Sequence, residues 1–352
     1  MTGRWAGPPL DADQAAVVDV VDGFACGPLR QLRDGNDVTG ARRALAALDL
    51  WAVAAPSVAG GAGASPGSAL VVLERLARVW PVIAVASAHA QAAAMILAGE
   101  PRWRVEVQAI CGGAPAAVVD GEGDGVDVTL ERDDNGYRIA GAAARIDVGP
   151  GDPLLVVLAS LDGASDPVAA VVPAERRGAG DAAVRFGDAI ARTGLGGAHS
   201  RPVDFGSAFF LTGDHVVEGG AGVTAARSFL RLALAAVAAG VAGAAADAAE
   251  RHVNERHQFG APLVTIPTIR SAVTDAHGSV RRALNDILSG SREPVEAGRV
   301  LRSAAREATT VTAGAVQLHG GYGYLSEYEV ERLFRDAVSL RAVAASLIGR
   351  AS

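Results

Sequence analysis

The sequence is poor in the residue type that marks several common protein classes. Only two of its 352 residues are cysteine, Cys26 and Cys111. Two cysteines supply neither the ligand set of a structural zinc site nor the disulfide framework of a small secreted domain, and this scarcity fits a reducing cytoplasm. We therefore interpret both as small core residues and predict no metal site.

Excess positive charge and long hydrophobic runs are also absent. Lys and Arg total 32 against 39 Asp and Glu, so the formal net charge is -7. A chain of this charge has no general attraction to nucleic acid or anionic lipid, and we expect neither as a partner. The longest uncharged apolar run, residues 232–246, has 15 residues. A membrane-spanning helix needs roughly 20, so this run predicts a buried helix.

The N-terminal residues lack the basic segment and apolar stretch that are typical of a secretory signal, so we expect the protein in the cytoplasm. Helical spacing of apolar residues dominates the first hundred positions, with a glycine-rich interruption at residues 56–68. We predict three units that pack together: an N-terminal α-helical domain over residues 1–103, a middle β domain over 104–217 and a C-terminal helical domain over 218–352.

The middle segment contains short β-prone runs separated by Gly, Asp and Pro clusters. These runs predict strands, and they read VEVQAI from Val105, then VDVTLE, YRIAG, PLLVVLAS, PVAAVV and VRF. In the C-terminal segment the helical pattern is interrupted at FGAPLVTIPT, at residues 289–294 and at HGGYGY. The sequence therefore predicts helices, then strands, then helices.

Two segments near the C-terminus carry the most specific signal. They are ERHQFGAPL at residues 255–263 and AVQLHGGYGYLSEYEVERLFRDA at residues 315–337. The pair resembles the C-terminal domain of the acyl-CoA dehydrogenase family. LWAVAAPSVAGGAGAS resembles the family's N-terminal glycine-rich loop, and GYRIAG resembles the strand before its flavin-facing segment. The resemblance implies an α+β fold with an N-terminal helical domain, a middle β-barrel-like domain and a C-terminal four-helix bundle.

The resemblance also implies FAD as the cofactor. Residues that contact the flavin of a neighbouring subunit in this family match Arg256, Phe259, Gln317, Gly320 and Gly321. Their chemistry suits the role, because a guanidinium binds phosphate oxygens bidentately and glycine lets the backbone approach a ligand closely. The resemblance further implies substrate binding by Arg231.

The residue that should remove the substrate's α proton is missing. Family members oxidise the Cα–Cβ bond of an acyl thioester and use a Glu as the base. In most members this Glu lies nine residues beyond the Arg of the R-D-A run. In others it lies directly before an Arg of the first long C-terminal helix. Counting from Arg335 reaches Ala344, and the second position is Leu230, next to Arg231. A positioned general base contributes about 10²–10⁴-fold to rate, so we predict no catalytic residue in this chain.

The flavin-facing segments of the β domain also depart from the family pattern. CGGAPAAVVD at residues 111–120 replaces the family's T-E-P-x-x-G-S-D motif, and Arg145 and Asp147 stand where a Trp and a Thr pack on the flavin ring. Pro267 replaces a Gln that contacts the adenosine end of the cofactor. The residues that a subunit lends to its neighbour's flavin are therefore better preserved than those it uses for its own.

Three functions remain open. In the first, the chain is the base-less subunit of a hetero-oligomeric dehydrogenase, a dimer or tetramer, and its partner is a Glu-bearing paralogue. The substrate in this case is a CoA or carrier-protein thioester of a fatty acid or a steroid side chain. Alternatively, the chain is a homo-oligomeric flavoenzyme with other chemistry, a monooxygenase or an acyl-thioester reductase. The third function is a non-enzymatic scaffold that binds acyl thioesters.

Overall fold

The computed structural model of the protein describes residues 3–161, 167–172, 184–206, 209–289 and 294–349. Helices come first, then strands, then helices again, in the order that the sequence predicts. The N-terminal helices are α1 (Ala12–Cys26), α2 (Pro28–Asp34), α3 (Val38–Ala46), α4 (Pro66–Val79), α5 (Pro81–Leu97) and α6 (Arg104–Cys111). The C-terminal helices are α7 (Ala221–Glu255), α8 (Pro267–Ser289), α9 (Pro294–His319) and α10 (Glu329–Ala345).

Helix α7 is the central element of the helical core. Among the described residues it alone is long and apolar enough to span a bilayer, yet 94% of its apolar window is buried inside the protein. A helix that is apolar on all sides is stable in water only when other elements surround it. Two glycines of α7 allow α4 to pack closely against it. A Cβ at Gly240 would lie 2.3 Å from the carbonyl oxygen of Glu74, and one at Gly243 would clash with the Arg78 guanidinium. The prediction of a buried helix over residues 232–246 is confirmed.

The middle segment folds into two sheets. One has the strand order β1 (Ala116–Asp120), β4 (Leu154–Ala159), β5 (Val168–Val172) and β9 (Val216–Val217), with β1 and β4 parallel. The other contains β2 (Val126–Asp133), β3 (Gly136–Ile146), β7 (Arg201–Asp204) and β6 (Arg185–Phe186), and β8 (Phe209–Leu211) pairs with β3.

Strand β1 shows how the sheets join the helices. Successive strand side chains point to opposite faces, and both faces of β1 are buried. Ala116 and Val118 belong to the helical core, whereas Ala117 and Val119 belong to a second core that lies between the sheets. The first sheet is therefore a layer between the helices and the second sheet.

The prediction that VEVQAI forms a strand is wrong, because these residues lie in helix α6. Val107 and Ile110, three residues apart, are buried in the helical core, while Val105 is 72% exposed. The carbonyl of Ile110 accepts a hydrogen bond from the indole of Trp51 at 3.0 Å. Tertiary packing thus overrides the β propensity of the valines. The remaining runs contain β2 to β6.

The predicted fold class is confirmed by this arrangement and by the structural relatives described below. Two of the three predicted interruptions lie within the described residues and separate C-terminal helices: a short hairpin of β10 (His257–Gln258) and β11 (Ala261–Pro262) follows α7, and a tight turn (Gly320–Tyr324) follows α9. The third, at residues 289–294, lies mostly outside the described residues. Pro267 takes the first position of α8, where a helix needs no N–H donor. The domain boundaries at residues 103 and 217 stay predictions.

Candidate functional site

The hairpin after α7 carries the first two residues that are expected to contact flavin. Its strands are joined by Phe259 and Gly260, whose φ angles of 54° and 81° are both left-handed, as a two-residue hairpin turn of this type requires. Glycine tolerates this conformation, but Phe259 does not favour it and is also 94% exposed. Arg256 ends α7 and is exposed as well. The hairpin therefore presents an aromatic ring and a guanidinium to the outside.

The end of α9 carries the other three residues. Gln317 is exposed on the last turn, and Gly320 follows with φ of 58°. A Cβ at Gly320 or Gly321 would meet no atom within 4 Å, so the backbone here borders open space. The Arg256 guanidinium lies 5.7 Å from the ring centre of Tyr322, which joins this turn to the hairpin. We call the set Arg256, Phe259, Gln317, Gly320 and Gly321 the hairpin–glycine surface.

Aromatic side chains support this surface from behind. The His252 and His319 rings stack at 4.1 Å between centroids, and Tyr322 and Tyr328 lie 5.3 Å apart. Burial lowers the pKa of both histidines, and the two rings would repel each other if both were charged. The neutral stack fixes the C-terminal end of α7 against the end of α9.

The geometry of the hairpin–glycine surface fits part of a dinucleotide. An exposed guanidinium suits a pyrophosphate, open glycine backbone permits close approach, and an exposed aromatic ring offers a flat apolar contact. All of these groups face away from the core of their own chain. The surface therefore suits a cofactor that a second chain holds.

Neither predicted base position holds a side chain that could remove a proton. Leu230 is 1% exposed and Ala344 is 4% exposed. The backbone beside Ala344 is tightly packed, because a Cβ at Gly123 would lie 1.9 Å from the carbonyl oxygen of Ser346. The loop after β1 thus presses directly on the end of α10.

A group of four charged residues lies where α7 meets the end of β1 and the segment after α10. Arg227 donates two hydrogen bonds of 2.8 Å to Asp120 and also contacts Glu122, while Arg231 donates to Asp120 at 3.0 Å. Arg231 also donates to the carbonyl of Leu347 at 3.0 Å. We call Asp120, Glu122, Arg227 and Arg231 the buried ion cluster, although Glu122 itself is at its edge, with a side chain 62% exposed.

The structure thus directs the Arg231 guanidinium at Asp120 and at backbone, and its role in substrate binding stays a prediction. Burial opposes the ionisation of Glu122, but the hydrogen bond from Arg227 holds the pKa of this carboxyl below its usual value. Arg227 therefore favours the charged form of Glu122, and both arginines of the cluster have carboxylate partners.

Charge also occupies the segment where the family packs residues on the flavin ring. Asp147 is buried and pairs with Arg145 at 2.8 Å and with Arg192. Arg192 donates to the carbonyl of Ser339 at 3.0 Å, which joins the network to α10. A network of paired charges is not a flat platform for an isoalloxazine ring, so these residues do not fit the ring-facing half of a flavin site.

Reasoning from sequence missed the buried ion cluster. Arg227 and Arg231 were its signal, because two arginines four residues apart on an otherwise apolar, buried helix require buried acids opposite them. The acid itself, Asp120, ends β1, and the sequence of this segment shows only that it lacks the family motif. Its position beside α7 follows from the sheet and could not be read from the chain.

Comparison with known proteins identifies the class. The family model described as "Acyl-CoA dehydrogenase, C-terminal domain" matches residues 220–344, and the N-terminal domain model matches residues 11–102. These matches together cover more than half of the chain. The chain belongs to the acyl-CoA dehydrogenase family, whose members are flavin-dependent oxidoreductases.

Individual relatives give the range of similarity. Isovaleryl-CoA dehydrogenase of Oryza sativa is 31% identical over 221 residues, 59% of this chain and 53% of that protein. Butyryl-CoA dehydrogenase from Megasphaera elsdenii superimposes with a TM-score of 0.79 at 21% identity, over 96% of both chains. A glutaryl-CoA dehydrogenase from Mycobacterium smegmatis in complex with FADH2 gives a TM-score of 0.81 at 15% identity, over 96% of this chain and 92% of that one. The chain spans about a third to a half of the length of the curated relatives it matches.

Proposed function

We propose that this chain is the base-less subunit of a hetero-oligomeric, FAD-dependent acyl-thioester dehydrogenase and completes the flavin site of a Glu-bearing partner chain. One observation carries the proposal: the five residues of the hairpin–glycine surface lie together on the outside of the chain, while Leu230 and Ala344 at the base positions are buried. A subunit that completes the flavin site of its partner needs the exposed surface and does not need a base.

FAD bound by the partner would supply the hydride acceptor for oxidation of a Cα–Cβ bond. Toward that group, Arg256 would bind the pyrophosphate, Gly320 and Gly321 would let backbone approach it, and Phe259 would cover an apolar part. This chain's own residues position the cofactor and move no proton. The proton from the substrate would go to the partner's Glu.

The arrangement around Asp147 supports the same division of labour. A homo-oligomeric flavoenzyme would have to hold the flavin ring on its own β domain, where Arg145, Asp147 and Arg192 form paired charges. A ring placed there would have to displace buried ion pairs, which is costly because desolvated charges would lose their partners. This cost favours a partner-held flavin over the monooxygenase or reductase alternatives.

The proposal extends to substrate, assembly and location. The partner would act on a CoA or carrier-protein thioester of a fatty acid or a steroid side chain. The two kinds of chain would form a dimer or a tetramer in the cytoplasm, without nucleic acid or membrane. A pure scaffold would need a left-handed residue to close this turn, but it would gain nothing from an exposed aromatic side chain where glycine fits without strain.

The proposal is tested by co-expressing this chain with Glu-bearing paralogues and measuring flavin retention after gel filtration. Arg256→Ala removes a charge-assisted hydrogen bond of the kind worth about 1.5–3 kcal/mol, so FAD affinity should fall about tenfold to a hundredfold. The loss would arise from a substitution outside the catalytic chain.

Arg104→Ala is the matched control, because Arg104 is also exposed but lies on α6, away from the hairpin. It should leave flavin retention unchanged. Equal flavin content in the wild-type and Arg256→Ala assemblies would contradict the proposal. A chain that remains homo-oligomeric with every paralogue and carries its own flavin would instead favour the homo-oligomeric flavoenzyme.

A further inference from the structure

A small cavity opens beside the position of the missing base. It has a volume of about 260 Å³ and lies between α9, α10, the loop after β1 and the segment after α10. Its lining is Asp124, Arg302, Ala305, Arg306, Arg341, Ala344, Ala345, Ile348 and Gly349. The cavity is smaller than a typical drug-sized site and suits a small ligand or the end of a longer one.

Three arginines surround this cavity, Arg302 and Arg306 from α9 and Arg341 from α10. Within the part of the chain that the structure describes, none of the three makes an ion pair or donates a side-chain hydrogen bond. Nearby arginines of α7 and α10 do: Arg227 and Arg231 pair with Asp120, and Arg335 pairs with Glu331. Among the described residues the three cavity arginines therefore have no carboxylate partner; Arg302 is half-buried, and Arg306 and Arg341 are exposed.

Their placement has an electrostatic cost. Arg302 and Arg306 are four residues apart, so they lie next to each other on α9, and like charges in this relation destabilise a helix. Arg341 brings a third positive charge to the same cavity, and Asp124 is its one acidic lining residue. The cavity therefore carries an excess of positive charge that a bound anion would offset.

We propose that this cavity binds a phosphate monoester. A phosphate group carries up to two negative charges and three oxygens that several guanidiniums can share, whereas a monocarboxylate offers one charge and two oxygens. The alcohol part of the ester would lie on the apolar wall of Ala305, Ala344 and Ile348.

The identity of residue 344 is what keeps the cavity cationic. Ala344 contributes to the wall, so a Glu at this position would place a carboxylate among the three arginines and neutralise part of their charge. Ala in place of Glu at position 344 thus both removes the base and leaves the cavity able to bind an anion. The site lies within one chain and does not depend on the partner that is proposed above.

The test is isothermal titration calorimetry of the full chain in low-salt buffer with butyl phosphate, inorganic phosphate and butyrate. Butyl phosphate should bind about tenfold or more tightly than inorganic phosphate, since each buried methylene adds roughly fourfold in affinity. Butyrate should bind more weakly than either. Tighter binding of butyrate than of butyl phosphate, or no binding of any phosphate, would overturn the proposal.

Variants separate this cavity from general electrostatic attraction. Arg302→Gln and Arg341→Gln should each weaken butyl phosphate binding about tenfold to a hundredfold, and Ala344→Glu should weaken it at least as much. Arg281→Gln removes the same charge from an exposed residue of α8 outside the cavity and should change affinity by less than about twofold. Circular dichroism confirms that each variant is folded. An equal loss in Arg281→Gln would show non-specific attraction and would contradict the proposed site.

Discussion

The hairpin–glycine surface and the region around Leu230 and Ala344, the two positions predicted for the base, differ in physical character. In the first, Phe259 keeps a left-handed backbone at 94% exposure. In the second, Leu230 and Ala344 are buried, the buried ion cluster lies on α7 next to Leu230, and a cavity of about 260 Å³ opens beside Ala344. The first region places a residue that does not favour a left-handed conformation in the exposed turn of a hairpin, and the second is largely buried.

This difference is what we expect if the chain keeps one half of a shared flavin site. The turn between β10 and β11 requires a left-handed residue at position 259, but it does not require an aromatic side chain, and Phe259 is 94% exposed. Next to Leu230, by contrast, Arg227 and Arg231 are paired with the buried Asp120.

Asp120→Asn gives the largest expected effect, because it removes the negative charge that two buried guanidiniums face. Breaking a buried ion pair from one side costs about 3–5 kcal/mol, and the free energy of unfolding in a urea titration should fall by about this amount. Glu122→Gln is the control within the same cluster. Its side chain is 62% exposed, so the loss should be at most about 1 kcal/mol. Equal losses would show that the cluster is not buried in solution.

A smaller effect is expected from acid. His89 lies on α5 next to β1, and its Nδ1 accepts a hydrogen bond from the backbone N–H of Val118 at 3.2 Å. Burial lowers the pKa of His89 from 6.5 to about 4, against the opposing charge of Asp147. Its contribution to stability is therefore complete above pH 6.5 and is lost as the pH falls toward 4, because the unfolded chain then binds a proton that the folded chain does not.

The size of this effect follows from the pKa shift, and unfolding titrations across that pH range should show a loss of about 3 kcal/mol from His89. His89→Asn keeps an acceptor for the Val118 N–H and removes the titration. The variant should therefore lose less stability in acid than the wild type does. The same pH dependence in both proteins would show that His89 is not buried in the neutral form.

The smallest change in stability is expected at the hairpin, and it has the opposite sign. Phe259→Gly relieves a left-handed conformation that costs an L-residue about 1–2 kcal/mol, and the greater chain entropy of glycine offsets about 0.5–1 kcal/mol of that gain. The isolated chain should become more stable by about 0.5–1 kcal/mol. The mixed assembly should retain less flavin. A destabilised isolated chain would mean that Phe259 serves its own fold.

The contrast between the two regions also explains what the sequence could predict. The ends of α7 and α9 were located correctly because Gly260 and Gly320 mark left-handed turns that few other residues adopt. The buried ion cluster was not predicted, because Asp120 lies 107 positions before Arg227 along the chain and meets it only where the fold brings the end of β1 to α7. The wrong prediction of a strand over the residues of α6 has a similar origin. Burial on one face of the helix outweighed the strand propensity of Val105 and its neighbours.

The most direct test of the division of labour is the ratio of FAD to protein in the purified mixed assembly and in the isolated chain. We predict about one FAD for each pair of unlike chains, because only the Glu-bearing chain provides a ring platform, and almost none on this chain alone. One tightly bound FAD on every subunit of the isolated chain, or two per mixed pair, would contradict the account.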